Sequence, residues 1–263
     1  MEFTALIANL GKYAAGIVAE TPLAFPTTTE QVQKALQTIG VDGLKYEEVI
    51  VKEYSIGIAG VASLLGEYAH IDELNYLAKR LECLSPEDLK KFAAAVRHGE
   101  YVCSVQDLIN LAYPCNLEQF MLLPEVKTYE DYGRYLVDTK RDFSLPRGAR
   151  FYFNYEEYGE TTAINENGDL TPQGYICHDR SGSFQEIYDG KEIPREYRVF
   201  QYPLQAKVKR HNNQKERDSP KKSAVRGAFF ISENNRKQVI VLRKRPSMQS
   251  HFLVGKTAQP CSC

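Results

Sequence analysis

Residues 27–40, Thr-Thr-Thr-Glu-Gln-Val-Gln-Lys-Ala-Leu-Gln-Thr-Ile-Gly, decide the fold class. Thr27-x-x-Glu30 has the spacing of a capping box, in which a threonine and an acid three residues on satisfy the free amides of a helix start. Val32, Ala35, Leu36 and Ile39 then recur at helical spacing on one face, and Gly40 stops the run. A helix is expected over about 28–39. Outward from it, Thr-Ala-Leu-Ile-Ala (4–8) reads as a short strand. Val49, Ile50 and Val51 before Tyr54 read as a second, over about 47–54. Strand, helix and strand make a small α+β unit over residues 1–57.

The next stretch, 58–122, is helical. Leu74, Leu77 and Leu81 share a face over 71–82. Ser85-Pro86-Glu87-Asp88 is a helix start with a capping serine, proline at the first position and acids in the first turn. Ser104-x-x-Asp107 opens a further helix, which Pro114 is expected to end. A third, α+β unit covers 123–203. It holds a helix over 128–139 with Tyr132, Tyr135 and Leu136 inward, and an aromatic run, Phe151 to Tyr155, that periodicity leaves as strand or helical turn. Tyr175–Cys177 and Phe184–Tyr188 read as a hairpin around Ser181-Gly182. No internal repeat is read. From 204 to 263 the chain becomes polar and basic, a partly disordered tail.

The formal net charge of −1 hides this division. Residues 1–200 carry 31 Asp+Glu and 19 Lys+Arg, a net of −12, and residues 201–263 carry 3 and 14, a net of +11. Such asymmetry points to an electrostatic partner. No apolar run is long enough to span a membrane, and the N-terminus lacks the pattern of a signal peptide. The six cysteines have no framework spacing, so reduced thiols in the cytoplasm are expected. The phosphate-binding, zinc-protease and nucleophile-elbow motifs are absent. His98, Cys103 and Cys115 lack the ligand pairs of a zinc site, and no cofactor is indicated.

What remains is carboxylate, spread along the body in pairs. The candidate acidic surface is Glu47, Glu48, Glu53, Glu67, Asp72, Glu73, Glu87, Asp88, Glu118, Glu125, Glu130, Asp131, Asp138, Glu156, Glu157 and Glu160. Singly, each acid is accounted for as a solvated or helix-starting residue; together they would make one negative field. In the tail, Lys207, Lys209, Arg210, Lys221, Lys222 and Arg226, with Arg243, Lys244 and Arg245, form either a nucleic-acid arm or an extension whose cations pair loosely with the body.

Two blocks carry a resemblance. LIANLGKYAAG (6–16), with Ile7, Asn9, Leu10, Tyr13 and Gly16, resembles the opening of the ArdA antirestriction family. YEDYGRYLVD (129–138) and LPRGARFYFNYEEYGETT (145–162), with Tyr155, Tyr158 and Gly159, resemble its later helix, loop and Tyr-x-x-Tyr-Gly segment. GYI (174–176) and FQEIYDG (184–190) are similar to its closing hairpin. The resemblance spans about 4–200.

It implies a non-enzymatic protein of a mobile genetic element, an elongated dimer of small α/β units. Its surface carboxylates would imitate the phosphates of double-stranded DNA and occupy the DNA groove of type I restriction–modification enzymes. The rival reading is a nucleic-acid-binding regulator acting through the tail.

Overall fold

The computed structural model describes residues 2–141, 143–179 and 182–203. The tail residues, including every basic position named above, lie outside them. No helix among the described residues is long and apolar enough to cross a membrane.

The first sheet consists of β1 (Phe3–Asn9), β2 (Glu20–Ala24) and β3 (Val49–Ile56), antiparallel in the order β2-β1-β3. Phe3, Ala5 and Ile7 alternate into the core along the central strand. Strand β2 was not expected. It carries Pro22, which a strand tolerates at the sheet edge because the missing amide is not needed there. Between β1 and β2 runs α1 (Leu10–Ala14), whose first turn is capped by the Asn9 side chain.

Helix α2 (Thr29–Ile39) buries Val32, Ala35, Leu36 and Ile39, the expected stripe, against this sheet. Its capping box sits one residue later than the sequence suggests. Thr28 is the cap and Gln31 its reciprocal partner. The shift has a cause: the Thr27 amide is already held at 2.9 Å by the buried Asn75 Oδ1.

The helical stretch comprises α3 (Val61–Leu64), α4 (Ile71–Glu82), α5 (Pro86–His98), α6 (Val105–Leu111) and α7 (Pro114–Leu117). Ser85 caps α5 and Ser104 caps α6, as their spacing predicts. Pro114 does not terminate a helix but begins one. Helix α6 ends at Leu111, and the proline occupies the first position of α7, where no amide is required.

The second sheet is β4 (Phe120–Leu123), β6 (Gly174–His178) and β5 (Asp169–Thr171), antiparallel in the order β4-β6-β5. The expected hairpin between 175–177 and 184–188 does not form. Both edges of β6 are taken by β4 and β5. The later segment is held instead by two buried asparagines. Asn110 donates to the Tyr188 carbonyl (2.9 Å) and accepts from its amide (2.8 Å). Asn116 does the same for Gln185, at 2.9 and 2.7 Å. Side-chain amides thus substitute for a neighbouring strand.

Helices α8 (Tyr129–Arg134) and α9 (Tyr155–Glu166) cover this sheet, α8 continuing as a π-turn over Tyr135–Lys140. The aromatic run 151–155 is neither a strand nor one helical turn. A 3-10 turn (Ala149–Phe151) ends on its first residue, and α9 opens on its last, Tyr155, behind the capping Asn154. The two helices begin with sequences that differ only by Asp for Glu, YEDYG at 129–133 and YEEYG at 155–159, so a short internal repeat does exist.

The larger core joins the first sheet, α2, α4, α5 and α6 with Phe120, Ile176, Tyr188 and Val199. A smaller one gathers Val126, Tyr132, Leu136, Ala163, Tyr175 and Cys177 beneath α8 and α9. Within it the rings of Tyr132 and Tyr175 stack at 3.9 Å, and both hydroxyls donate to one Glu166 oxygen. Burial pushes the neighbouring Cys177 thiol up to about 12, so it packs as an inert apolar group.

Candidate functional site

The carboxylates proposed from sequence separate into three groups. Glu47, Glu48, Glu53, Glu67, Glu87, Glu118, Glu125, Glu156 and Glu160 are exposed. Among the described residues, no hydrogen bond or ion pair engages their carboxylates. Glu87 and Glu156 lie in the first turns of their helices, where acids sit beside free amides and in water, and the others lie on loops, within β3 and α9, or at the end of α7.

A second group is exposed or half-buried but engaged. Glu130 pairs with Arg134 (2.6 Å) one turn along α8, and Asp138 with Arg150 (2.6 Å). Asp131 completes the α8 capping box, Asp88 accepts from the Ser85 hydroxyl (2.9 Å), and Glu157 accepts from Asn154 (2.9 Å). Glu73 accepts from the Tyr188 hydroxyl at 2.7 Å.

Asp72 stands alone as a correction. It is 7% exposed, and one of its oxygens accepts both the Val199 and Phe200 amides at 2.7 Å. Its charge serves the chain internally, tying α4 to the segment near residue 200, and offers little to a partner.

Several basic side chains of the body are engaged with rings and carbonyls, whereas Lys34, Lys90, Arg97, Arg147 and Arg195 are exposed like the first group of acids. Lys12 reaches the Ile39 carbonyl (2.9 Å), and Lys52 lies 3.7 Å from the Tyr13 ring centre. Arg80 stacks on Tyr113 at 3.9 Å and donates to the Ala112 carbonyl, while Lys127 donates to the Pro172 carbonyl. Arg134 lies over the Tyr155 ring at 4.5 Å as well as pairing with Glu130. These cations lean back onto rings and carbonyls, while the first group of acids extends unpaired.

Two concavities border the acids. One, of about 450 Å³, lies between α8 and the start of α9 and is lined by Glu130, Arg134, Asp138, Arg150 and Glu156. The other, of about 310 Å³, is bordered by Glu47 and Glu48 and walled by Tyr68, His70, Phe200 and Tyr202. Sequence reasoning missed these ring residues. They come from two short segments far apart in the chain, Tyr68 with His70 and Phe200 with Tyr202, so only the fold brings them together.

His98, at the end of α5, has a buried imidazole between the carboxylates of Asp169 (2.5 Å) and Glu100 (3.4 Å). It joins α5 to β5. Among the described residues, no group of three or more His, Cys, Asp or Glu side chains is arranged to hold a metal ion.

A protein-family model described as antirestriction protein (ArdA) matches residues 5–177. No curated protein matches the chain. The matched span runs from within β1 to within β6 and includes the α8–α9 pair, while the block at 184–190, on which the resemblance also rests, lies outside it. The chain belongs to the ArdA antirestriction protein family, whose members are non-enzymatic inhibitors.

Proposed function

We propose that the chain protects incoming mobile-element DNA in the cytoplasm by occupying the DNA-binding groove of a type I restriction–modification enzyme, on its methyltransferase core. Its exposed carboxylates would stand where phosphates otherwise lie. The observation that carries this reading is a set of nine exposed, unpaired carboxylates on a body of net charge −12. Glu47, Glu48, Glu53, Glu67, Glu87, Glu118, Glu125, Glu156 and Glu160 present charge outward, while Lys12, Lys52, Arg80 and Lys127 fold onto the body. The near-zero total charge arises from residues 201–263, so it is compatible with a negative face on the body of net −12.

The scale is adequate if two chains act together. About 20 base pairs of duplex carry roughly 40 phosphate charges, from one charge per ~1.7 Å. Two bodies of 31 carboxylates each exceed that number in carboxylates, with a net charge of −24, so the body's cations must lie off the acidic face. We therefore read the functional unit as a homodimer. Phe151 and Tyr152, 88% and 91% exposed, supply apolar surface that a second copy would cover.

The test is titration of the full chain into a type I enzyme cleaving unmodified plasmid. Inhibition near stoichiometry, weakening as salt rises, is expected. Full cleavage at large molar excess overturns the reading. Duplex DNA binding by the full chain that is lost on removing 204–263, with no inhibition of the enzyme, would favour regulation through the tail instead.

A further inference from the structure

We propose that the groove between Glu47, Glu48, Tyr68, His70, Phe200 and Tyr202 is a receptor for one arginine side chain of the protein this chain inhibits. The inference rests on the reading above and adds an anchor to what would otherwise be a diffuse field.

The walls of the groove are built. His70 and Phe200 rings lie 5.5 Å apart and Phe200 and Tyr202 5.2 Å apart, a continuous row of three rings. Tyr202 is fixed from three sides. Its hydroxyl donates to the Glu47 carbonyl (3.0 Å), its carbonyl accepts from Gln33 (3.2 Å), and its ring lies on Gly43, where a Cβ would come within 2.7 Å of the ring. Gly43 has a φ of +72°, in the left-handed region that glycine enters freely. Phe200 is held by its amide on Asp72. The rigidity of these rings lowers the ordering cost of a ligand that stacks on them.

The groove nonetheless leaves aromatic surface in water, with Tyr68 71% and Tyr202 40% exposed. Its rim carries two adjacent carboxylates, Glu47 and Glu48, which no cation among the described residues neutralises. The nearby lysines are engaged elsewhere: Lys45 lies 5.1 Å from the Tyr46 ring centre, and Lys12 is on the Ile39 carbonyl. The His70 Nδ1 is turned away from the groove's acids, accepting the Asp72 amide at 3.2 Å.

Exposed ring faces beside unpaired carboxylates form a site for a flat cation. A guanidinium stacks on aromatic faces and forks onto carboxylate oxygens, whereas an ammonium is a compact and strongly hydrated charge. A surface that evolved to hold phosphates displays arginines, so the partner supplies the occupant by its own chemistry.

The decisive variant is Tyr68→Ala, which removes no charge. Inhibition of the restriction enzyme by this variant should require about tenfold more protein, as for an interface anchor. The double variant Glu47→Gln/Glu48→Gln should lose clearly more potency than Glu125→Gln/Glu160→Gln, which removes the same charge elsewhere. Circular dichroism and melting curves confirm that each variant is folded. Wild-type potency in folded Tyr68→Ala, or equal losses in the two double variants, overturns the proposal.

An independent measurement uses the free full chain and N-acetyl-arginine amide, followed by NMR. Saturable shifts at Tyr68 and His70 are expected, absent with the uncharged citrulline amide. No shift with the arginine amide rules out the receptor and leaves antirestriction untouched. Arginine binding without enzyme inhibition sinks the functional reading instead.

Discussion

Gly133 and Gly159 let α8 and α9 touch backbone to backbone. A Cβ on Gly133 would collide with the Tyr155 carbonyl, and one on Gly159 with the Tyr129 carbonyl while lying 2.8 Å from the Gly133 nitrogen. Each glycine thus meets the carbonyl of the residue that opens the other helix, four positions before its counterpart. The repeated Tyr-Glu-acid-Tyr-Gly therefore packs on itself reciprocally. The same arrangement puts the acid pairs Glu130-Asp131 and Glu156-Glu157 in equivalent positions at the starts of the two helices.

Substitution at this crossing tests the relationship. Neither glycine has a left-handed φ, so alanine is conformationally acceptable and improves helix propensity by about 1 kcal/mol. Backbone, unlike a side-chain tip, cannot move aside. Gly133→Ala and Gly159→Ala are each expected to destabilise the chain by roughly 1–3 kcal/mol or more, the cost of overpacking. Urea denaturation reads this directly, and an unchanged midpoint for either variant would show that the helices can separate freely.

Asp72 and the exposed acids should respond to neutralisation in opposite ways. Asp72→Ala removes the acceptor of two amides and leaves both unsatisfied next to the core, at about 1–3 kcal/mol for each buried group. The loss should appear as lower stability and as faster amide exchange at Val199 and Phe200. Glu53→Gln or Glu87→Gln should leave the melting temperature almost unchanged and slow association with the partner, since rim charges act mostly on encounter. If Asp72→Ala melts like wild type, its charge belongs to the surface after all.

Asn110 supports a similar argument for the segment that replaces a strand. Its side chain satisfies both backbone groups of Tyr188, and the Tyr188 ring packs edge-on against Tyr76 at 5.4 Å. Asn110→Leu keeps the branched shape, in a somewhat larger side chain, and removes both bonds. A loss of roughly 2–3 kcal/mol is expected from the orphaned amide and carbonyl. Increased protease cleavage between 183 and 190 should accompany it. Resistance equal to wild type would mean that ring packing alone holds the segment.

Helix positions were readable because their causes are local. Ser85-Pro86, Ser104 and Thr128 each announce a start within a few residues, and the stripe from Val32 to Ile39 fixes a face. Elements defined by distant partners were not. Pro22 disguises β2, and nothing near Phe184 reveals that Asn110 and Asn116 will take its neighbours' hydrogen bonds. The YEDYG and YEEYG boxes are too short to stand out before their helices are seen to cross. For the surface, the rule that acids at helix starts are exposed holds for Glu87 and Glu156. It fails for Asp72, which occupies the same kind of position but meets amides 127 and 128 residues away. The groove rings were invisible for the same reason: Tyr68 and Tyr202 become neighbours only through Asp72 and Gly43.

Two carboxylates carry a defined pH dependence. Asp42 accepts the amides of Leu44, Lys45 and Tyr46 on one oxygen, at 2.9, 2.9 and 3.0 Å. The Tyr46 amide foremost, then those of Leu44 and Lys45, holds its carboxyl below the usual range. At Asp131 the Thr128 side chain is the main cause and the Lys127 amide the next. For both groups the folded pKa is depressed below the unfolded value of about 3.9. Their contribution is therefore fully present above that value and is lost as the pH falls through the folded pKa. Melting temperature should decline as the pH is taken from 5 towards 2. In Asp42→Asn the decline should be shallower, because the neutral amide has no charge to lose, and the two proteins should converge at the acid end. The Asp42 loop leads directly into Glu47 and Glu48, so at neutral pH Asp42→Asn should also weaken arginine-amide binding at the groove. Melting curves that stay parallel across the whole range would show that the three amides bind the protonated and ionised carboxyl equally, contrary to their geometry.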